Sequence, residues 1–184
     1  MKNILLSVII LASSAFAIVS IKPVEITSNN DTKLELGISY KSKSGNSDTT
    51  NVSTNIKSTF YNTRSANIVL LDYEYRESKG SKNVDKTLMH IRHIHLSNYK
   101  PLNYEIFAQV QQDTFRLIKS RYLIGFGGRH KISLNKNGNI FYGLGVLQTK
   151  LNENKIVSNF QSLNSYITYH QKLQNENKFS YNGY

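Results

Sequence analysis

The residues best placed to do chemistry are His95, Ser97 and Asn98, in the order His-x-Ser-Asn. On an extended chain, residues two apart share a face. An imidazole at 95 could take the proton of the Ser97 hydroxyl for attack on an acyl ester, given an acid to orient the ring. The nearest acid downstream is Glu105, beyond Pro101. A metal is the other chemistry that His90, His93 and His95 suggest. On a strand only His93 and His95 share a face, and the chain has no cysteine. A catalytic zinc needs three protein ligands, so neither metal nor cofactor is expected. Gly125-Phe126-Gly127-Gly128 is not a phosphate loop, because it lacks the glycine-to-lysine spacing and no helix follows.

A third set is purely electrostatic. Glu105, Asp113, Arg116, Arg121 and Arg129 fall in one stretch and, with Glu74, could form a charge network. Their neighbours explain the spacing. Tyr104, Ile106, Ala108 and Val110 alternate with Glu105, Gln109, Gln111 and Asp113, and Tyr122, Ile124 and Phe126 continue against Arg121 and Arg129. A period of two is the mark of a strand with one apolar and one polar face.

That texture runs along the chain. Alternating segments are expected at 33–42, 50–61, 66–77, 84–97, 104–113, 120–134, 140–151 and 158–173, with Lys178 to Tyr184 opening a ninth. Clusters of Asn, Gly, Ser and Lys separate them, with Pro101 and Asn137-Gly138 in turns. Soluble strands usually run about five or six residues, whereas strands that cross a bilayer need about nine to eleven. These are of the long kind. Tyr40, Tyr61, Tyr73, Tyr75, Tyr104 and Tyr122 stand towards strand ends, where interfacial aromatic girdles form. Asp72, Glu74, Arg76, Glu105, Arg121 and Arg129 would be costly in a dry core but not in a wet or self-paired lumen. The expectation is an all-β, antiparallel, up-and-down outer-membrane β-barrel of about eight to ten strands.

The first residues fit export. Lys2, the apolar run Ile4 to Leu11 and Ala15-Phe16-Ala17 read as a signal peptide over 1–17, followed by a polar tether over 18–32. The sequence has 184 residues, 39% hydrophobic, with a net charge of +11 that loss of Lys2 lowers by one. Its lysines are scattered among Asn and Ser, so nucleic acid is not an expected partner, whereas anionic lipid head groups suit the charge. Without cysteine, stability must come from hydrogen bonding and packing.

Two blocks carry a family resemblance. One is Ser44-Gly45-Asn46-Ser47-Asp48-Thr49. The other is Tyr104-Glu105-x-Phe107-x-Gln109-x-Gln111-x-Asp113-x-Phe115-Arg116, continued by Arg121-x-Leu123-x-Gly125-x-Gly127-x-Arg129. Together they resemble the DUF481 family, the YdiY-like, salt-induced outer-membrane proteins of Gram-negative bacteria, over residues 33–184. The resemblance implies a non-enzymatic barrel, structural or permeability-related, in contact with outer-membrane lipid and lipopolysaccharide and delivered by the barrel-assembly machinery. Family members run longer, and Asn182, Ser180 and Lys178 depart from the alternating apolar ending of outer-membrane strands, although Tyr184 fits. That leaves open whether the barrel is complete at its C-terminus. His95-x-Ser97-Asn98 separately resembles a stretch of the lipid A 3-O-deacylases, which implies an alternative, lipid A or phospholipid acyl hydrolysis through His95 and Ser97. A soluble periplasmic β-domain is the other alternative.

Overall fold

The computed structural model describes residues 30–45, 48–97, 102–134, 138–172 and 178–183. The signal segment, the tether up to residue 29, Asn98, Pro101, Asn137 and Tyr184 lie outside them. The described residues form nine strands: β1 (Asp31–Lys43), β2 (Thr49–Asn62), β3 (Ser65–Ser78), β4 (Ser81–Leu96), β5 (Leu102–Asp113), β6 (Ile118–Ser133), β7 (Gly138–Glu153), β8 (Ile156–Lys172) and β9 (Lys178–Gly183). All lie in one sheet in sequence order, each antiparallel to the next. No pairing joins β1 to β9 among the described residues, so the sheet is not closed. β1 begins two residues inside the expected tether.

Tight turns set this order. β3 and β4 are joined by Lys79 and Gly80, both at positive φ, and β7 and β8 by Asn154 and Lys155, also both positive. Two consecutive positive φ values define the type I′ hairpin, whose twist matches that of the flanking strands. Neighbouring hairpins are tied at their ends, as when Lys79 N–H donates to the Asp48 carbonyl at 2.8 Å and Asn154 N–H to that of Leu117 at 3.1 Å.

Side chains sort by parity. One face carries Ile68, His90, Arg92, Glu105, Phe107, Gln109, Arg129 and Phe141, all buried. The other leaves Leu34, Ile38, Met89, Ile106, Ile124, Leu144 and Leu163 exposed, Ile124 at 55% and Leu163 at 86%. Val69, Leu71, Ile106 and Ile124 thus point outward, while Gln109 is buried and Glu74 faces inward. Tyr61 departs from its expected girdle place: it turns inward and packs on Ile68 and Ile94. Its register partner is Ala66, a buried inward position.

The outer apolar strip runs obliquely to the strand register. One outward row reads Leu36, Ile56, Leu71, Met89, Val110, Tyr122, Lys150, Asn159, apolar from β1 to β6 and polar on β7 and β8. Another, nearer the opposite end, reads Thr32, Phe60, Asn67, His93, Ile106, Phe126, Val146, Leu163, apolar from β5 onward and mostly polar before it. The strip drifts by about one residue per strand. One residue rises about 3.3 Å and one strand adds about 4.8 Å, so a level strip makes an angle of about 35° with the perpendicular to the strands. That equals the strand tilt of a closed barrel, about 35–45°.

Lys155 is a side chain held where glycine is at ease (φ 68°). Lys155→Gly should raise stability by about 0.5–1 kcal/mol, read as a higher urea midpoint at unchanged m-value.

Candidate functional site

Seen from inside, the sheet has a packed part and a polar part. On β5, Phe107 packs with Leu123 of β6 and Leu147 of β7. Gly125 lies between Phe107 and Leu147 in the register, and a Cβ there would come within 2.4 Å of the phenyl ring. The absent side chain is the hole that Phe107 fills. The guanidinium of Arg92 lies 4.9 Å over the same ring, and the His90 imidazole stacks on it at 5.6 Å. His90 Nδ1 is 3.2 Å from Gln109 Oε1.

Beside this layer sits a buried charged cluster. Glu105 of β5, 3% exposed, lies in register with Gly127 and, one strand on, Gly145. A Cβ on Gly127 would meet the Leu144 carbonyl at 2.6 Å, and one on Gly145 that of Phe126 at 2.7 Å. This glycine floor leaves the space above it to longer side chains from either side. Arg92 of β4 brings Nη1 to 3.6 Å from Glu105 Oε2. Tyr166 of β8 donates its hydroxyl to Glu105 Oε1 at 2.9 Å. Arg129 of β6, 1% exposed, lies 5.1 Å over Phe141 in the same region. Gly143 makes this reach possible, because a Cβ there would sit 2.2 Å from the Tyr166 ring.

The bond between Glu105 and Tyr166 also measures curvature. β5 and β8 are separated by three strand spacings, about 14 Å in a flat sheet. Side chains standing parallel from a flat sheet would not meet over that distance, so the sheet curls round its polar face.

The polar part lies along β1 and β2 and at the hairpin end of β3 and β4, away from the buried Ile68 and Ile94. Here Glu35 is held by Lys33 at 3.2 Å and Lys57 at 3.5 Å, and Glu74 by Lys86 at 2.6 Å and Arg76 at 3.3 Å. Asn55 donates to Asp72. These side chains are partly exposed.

The expected network therefore divides. Asp113 and Arg116 meet at the β5–β6 turn, at 3.8 Å through side chains and 3.2 Å from the Arg116 N–H. Arg121 is buried on β6 opposite Gln111. Glu105 takes Arg92 and Tyr166, and Glu74 takes Lys86 and Arg76. Sequence reasoning missed Arg92 and Tyr166. Parity put Arg92 on the face of His90 and could have found it; Tyr166 becomes a partner only through the curl and Gly143.

His95 and Ser97 stand at the end of β4. His95 is exposed on the outer face, with its ring 6.4 Å from that of His93, which is bound to Asn67 Oδ1 at 2.8 Å. Glu105 pairs in register with buried Ile94 and lies on the opposite face from His95. His90 also points inward, away from His93 and His95. Among the described residues no three His, Cys, Asp or Glu side chains are grouped to hold a metal ion. No helix there is long and apolar enough to cross a membrane, which does not bear on crossing by strands.

An open up-and-down sheet with an apolar convex face and a charged concave one is consistent with an outer-membrane-type β protein. The family model described as "Protein of unknown function, DUF481" matches residues 35–184, so the chain belongs to the DUF481 family. No curated protein and no solved structure matches.

The cluster gives graded expectations. Glu105→Ala strands buried Arg92 and should cost about 3–5 kcal/mol, and Tyr166→Phe about 1.5–3 kcal/mol. Gly143→Ala should cost about 1–3 kcal/mol through overpacking. Gly128→Ala, whose Cβ would meet Leu102 at an ordinary 3.5 Å, should change little. Chemical unfolding of the four variants checks the order.

Proposed function

We propose that the chain is an outer-membrane β-barrel protein with a non-enzymatic, structural or permeability role. It is exported by its N-terminal signal, inserted by the barrel-assembly machinery and surrounded by lipid and lipopolysaccharide. The observation that carries this reading is the oblique apolar strip. A soluble barrel hides its apolar face and has no reason to align the exposed one. A bilayer requires a level apolar band, and on tilted strands a level band crosses the register obliquely. On β5 the outward positions from Leu102 to Val110 span roughly 26 Å along the strand, about 22 Å along an axis inclined at that tilt, near the apolar band of about 25 Å in such barrels.

Ile124 and Gln148 make the test sharp. They are register partners on the outer face, both exposed, yet only Ile124 lies inside the strip. In protein refolded into lipid, Ile124→Arg should cost about 2–4 kcal/mol and Gln148→Arg about 0–1 kcal/mol. A soluble β-domain would accept arginine equally at both exposed sites, and equal costs would reject the reading. The chain should also stay with membranes through carbonate and high-salt washing. As a non-enzyme it should release no acyl chains from lipid A or phospholipid; release abolished by Ser97→Ala would instead establish the hydrolase alternative.

A further inference from the structure

We propose that the concave side along β1 to β4 is a wet, anion-preferring path or cavity that takes small inorganic anions. This rests on the barrel reading and adds a selectivity to it. The first support is the division of the interior. Phe107, Leu123, Leu147, Phe141 and Tyr166 fill the side of β5 to β8. The inward positions of β2 from Asn51 to Lys57 are all polar, and those of β1 add none but Gly37 and polar or charged residues. On β3 and β4 the concave side is buried around Ile68, Leu70, Leu88 and Ile94, and the accessible lining is at their hairpin end, where the side chains of Arg76 and Lys86 are near half exposed.

The second support is the sign of the charge. Parity turns the lysines of β1 inward with Asp31 and Glu35, Lys57 on β2, Arg76 with Asp72 and Glu74 on β3, and Lys86 and Arg92 on β4. On β6, Arg121, Arg129 and Lys131 turn inward, between Glu105 and Asp113 of β5 and Glu153 of β7. Cations outnumber carboxylates on the concave face as a whole. In a narrow aqueous space between low-dielectric walls, such an excess concentrates anions and repels cations. The third support is bore. Eight strands enclose a lumen that side chains fill, but here nine are laid side by side among the described residues, with β1 and β9 not paired to each other.

The test is the full chain in planar bilayers across a potassium chloride gradient. Insertion is verified on the same preparation by heat-modifiable migration in gels. The reversal potential should lie toward the chloride equilibrium potential. Arg76→Glu and Lys86→Glu should each move it toward potassium, and the double variant further. Lys150→Glu makes the same charge change on the outer face and should leave it in place. Inserted protein that passes no current, prefers potassium, or shifts as much with Lys150→Glu as with Lys86→Glu overturns the anion path while leaving the barrel standing. Failure to insert overturns the barrel reading and this inference with it.

Discussion

Leu34, Ile38, Ile124, Leu144 and Leu163 share one face of one sheet, and nothing among the described residues covers them. Scattered apolar residues on a surface are ordinary, but a continuous strip of them marks a surface that meets something apolar, which in the proposed reading is lipid. The same strands place Glu105, Arg92 and Arg129 on the face that the sheet curls around. Polarity is therefore the reverse of a soluble barrel, and most other features follow from it. Backbone groups in hydrocarbon must bond to each other. Long antiparallel strands, joined at β3–β4 and β7–β8 by two-residue type I′ turns, meet that requirement with little irregular chain there.

The interior then has to be polar without being loose. Glycines solve this locally. Gly125 admits Phe107, Gly143 admits Tyr166, and Gly127 with Gly145 leaves a bare patch of backbone onto which Arg92, Glu105 and Tyr166 converge. The bond between Glu105 and Tyr166 depends on curvature, because a flat sheet would hold β5 and β8 too far apart for them to meet. The buried ion pair is thus better understood as a registration device than as a source of net stability. Desolvation offsets much of its attraction, yet it is satisfied in only one arrangement of strands.

Much of this was legible in the sequence, for a physical reason. Period-two alternation reports directly on which face a residue takes. The outward placing of Val69, Leu71, Ile106 and Ile124 and the inward placing of Glu105 and Arg129 could therefore be read from spacing alone. The strand limits at 66–77 and 104–113 fall within two residues of β3 and β5. What spacing could not give was partnership. Glu105 and Tyr166 lie 61 positions apart, and they meet because glycines on the strands between them remove side chains and let the sheet bend. Tyr61 was misplaced for a related reason: a tyrosine near a strand end suits an interfacial girdle, but parity with Thr59 and Ala66 turns this one inward.

The strip also constrains the size of what the sheet can become. A drift of about one residue per strand fixes the tilt, and for a given tilt the radius of a closed barrel depends only on strand number. At about 35° and a spacing of about 4.8 Å, eight strands close at a radius of about 8 Å, and each further strand adds about 1 Å. The side chains of β4 to β8 meet across their own concavity, as Glu105 and Tyr166 do, and so occupy one side of any such cylinder. The charged side chains of β1 to β3 act over shorter range: Glu35, Glu74 and their lysines are satisfied locally, by neighbours on the same or the adjoining strand. A cylinder wider than the eight-stranded one, filled from one side and lined with short-range ion pairs on the other, leaves water along the second. The sign of the charge there then becomes a functional property as well as a structural one.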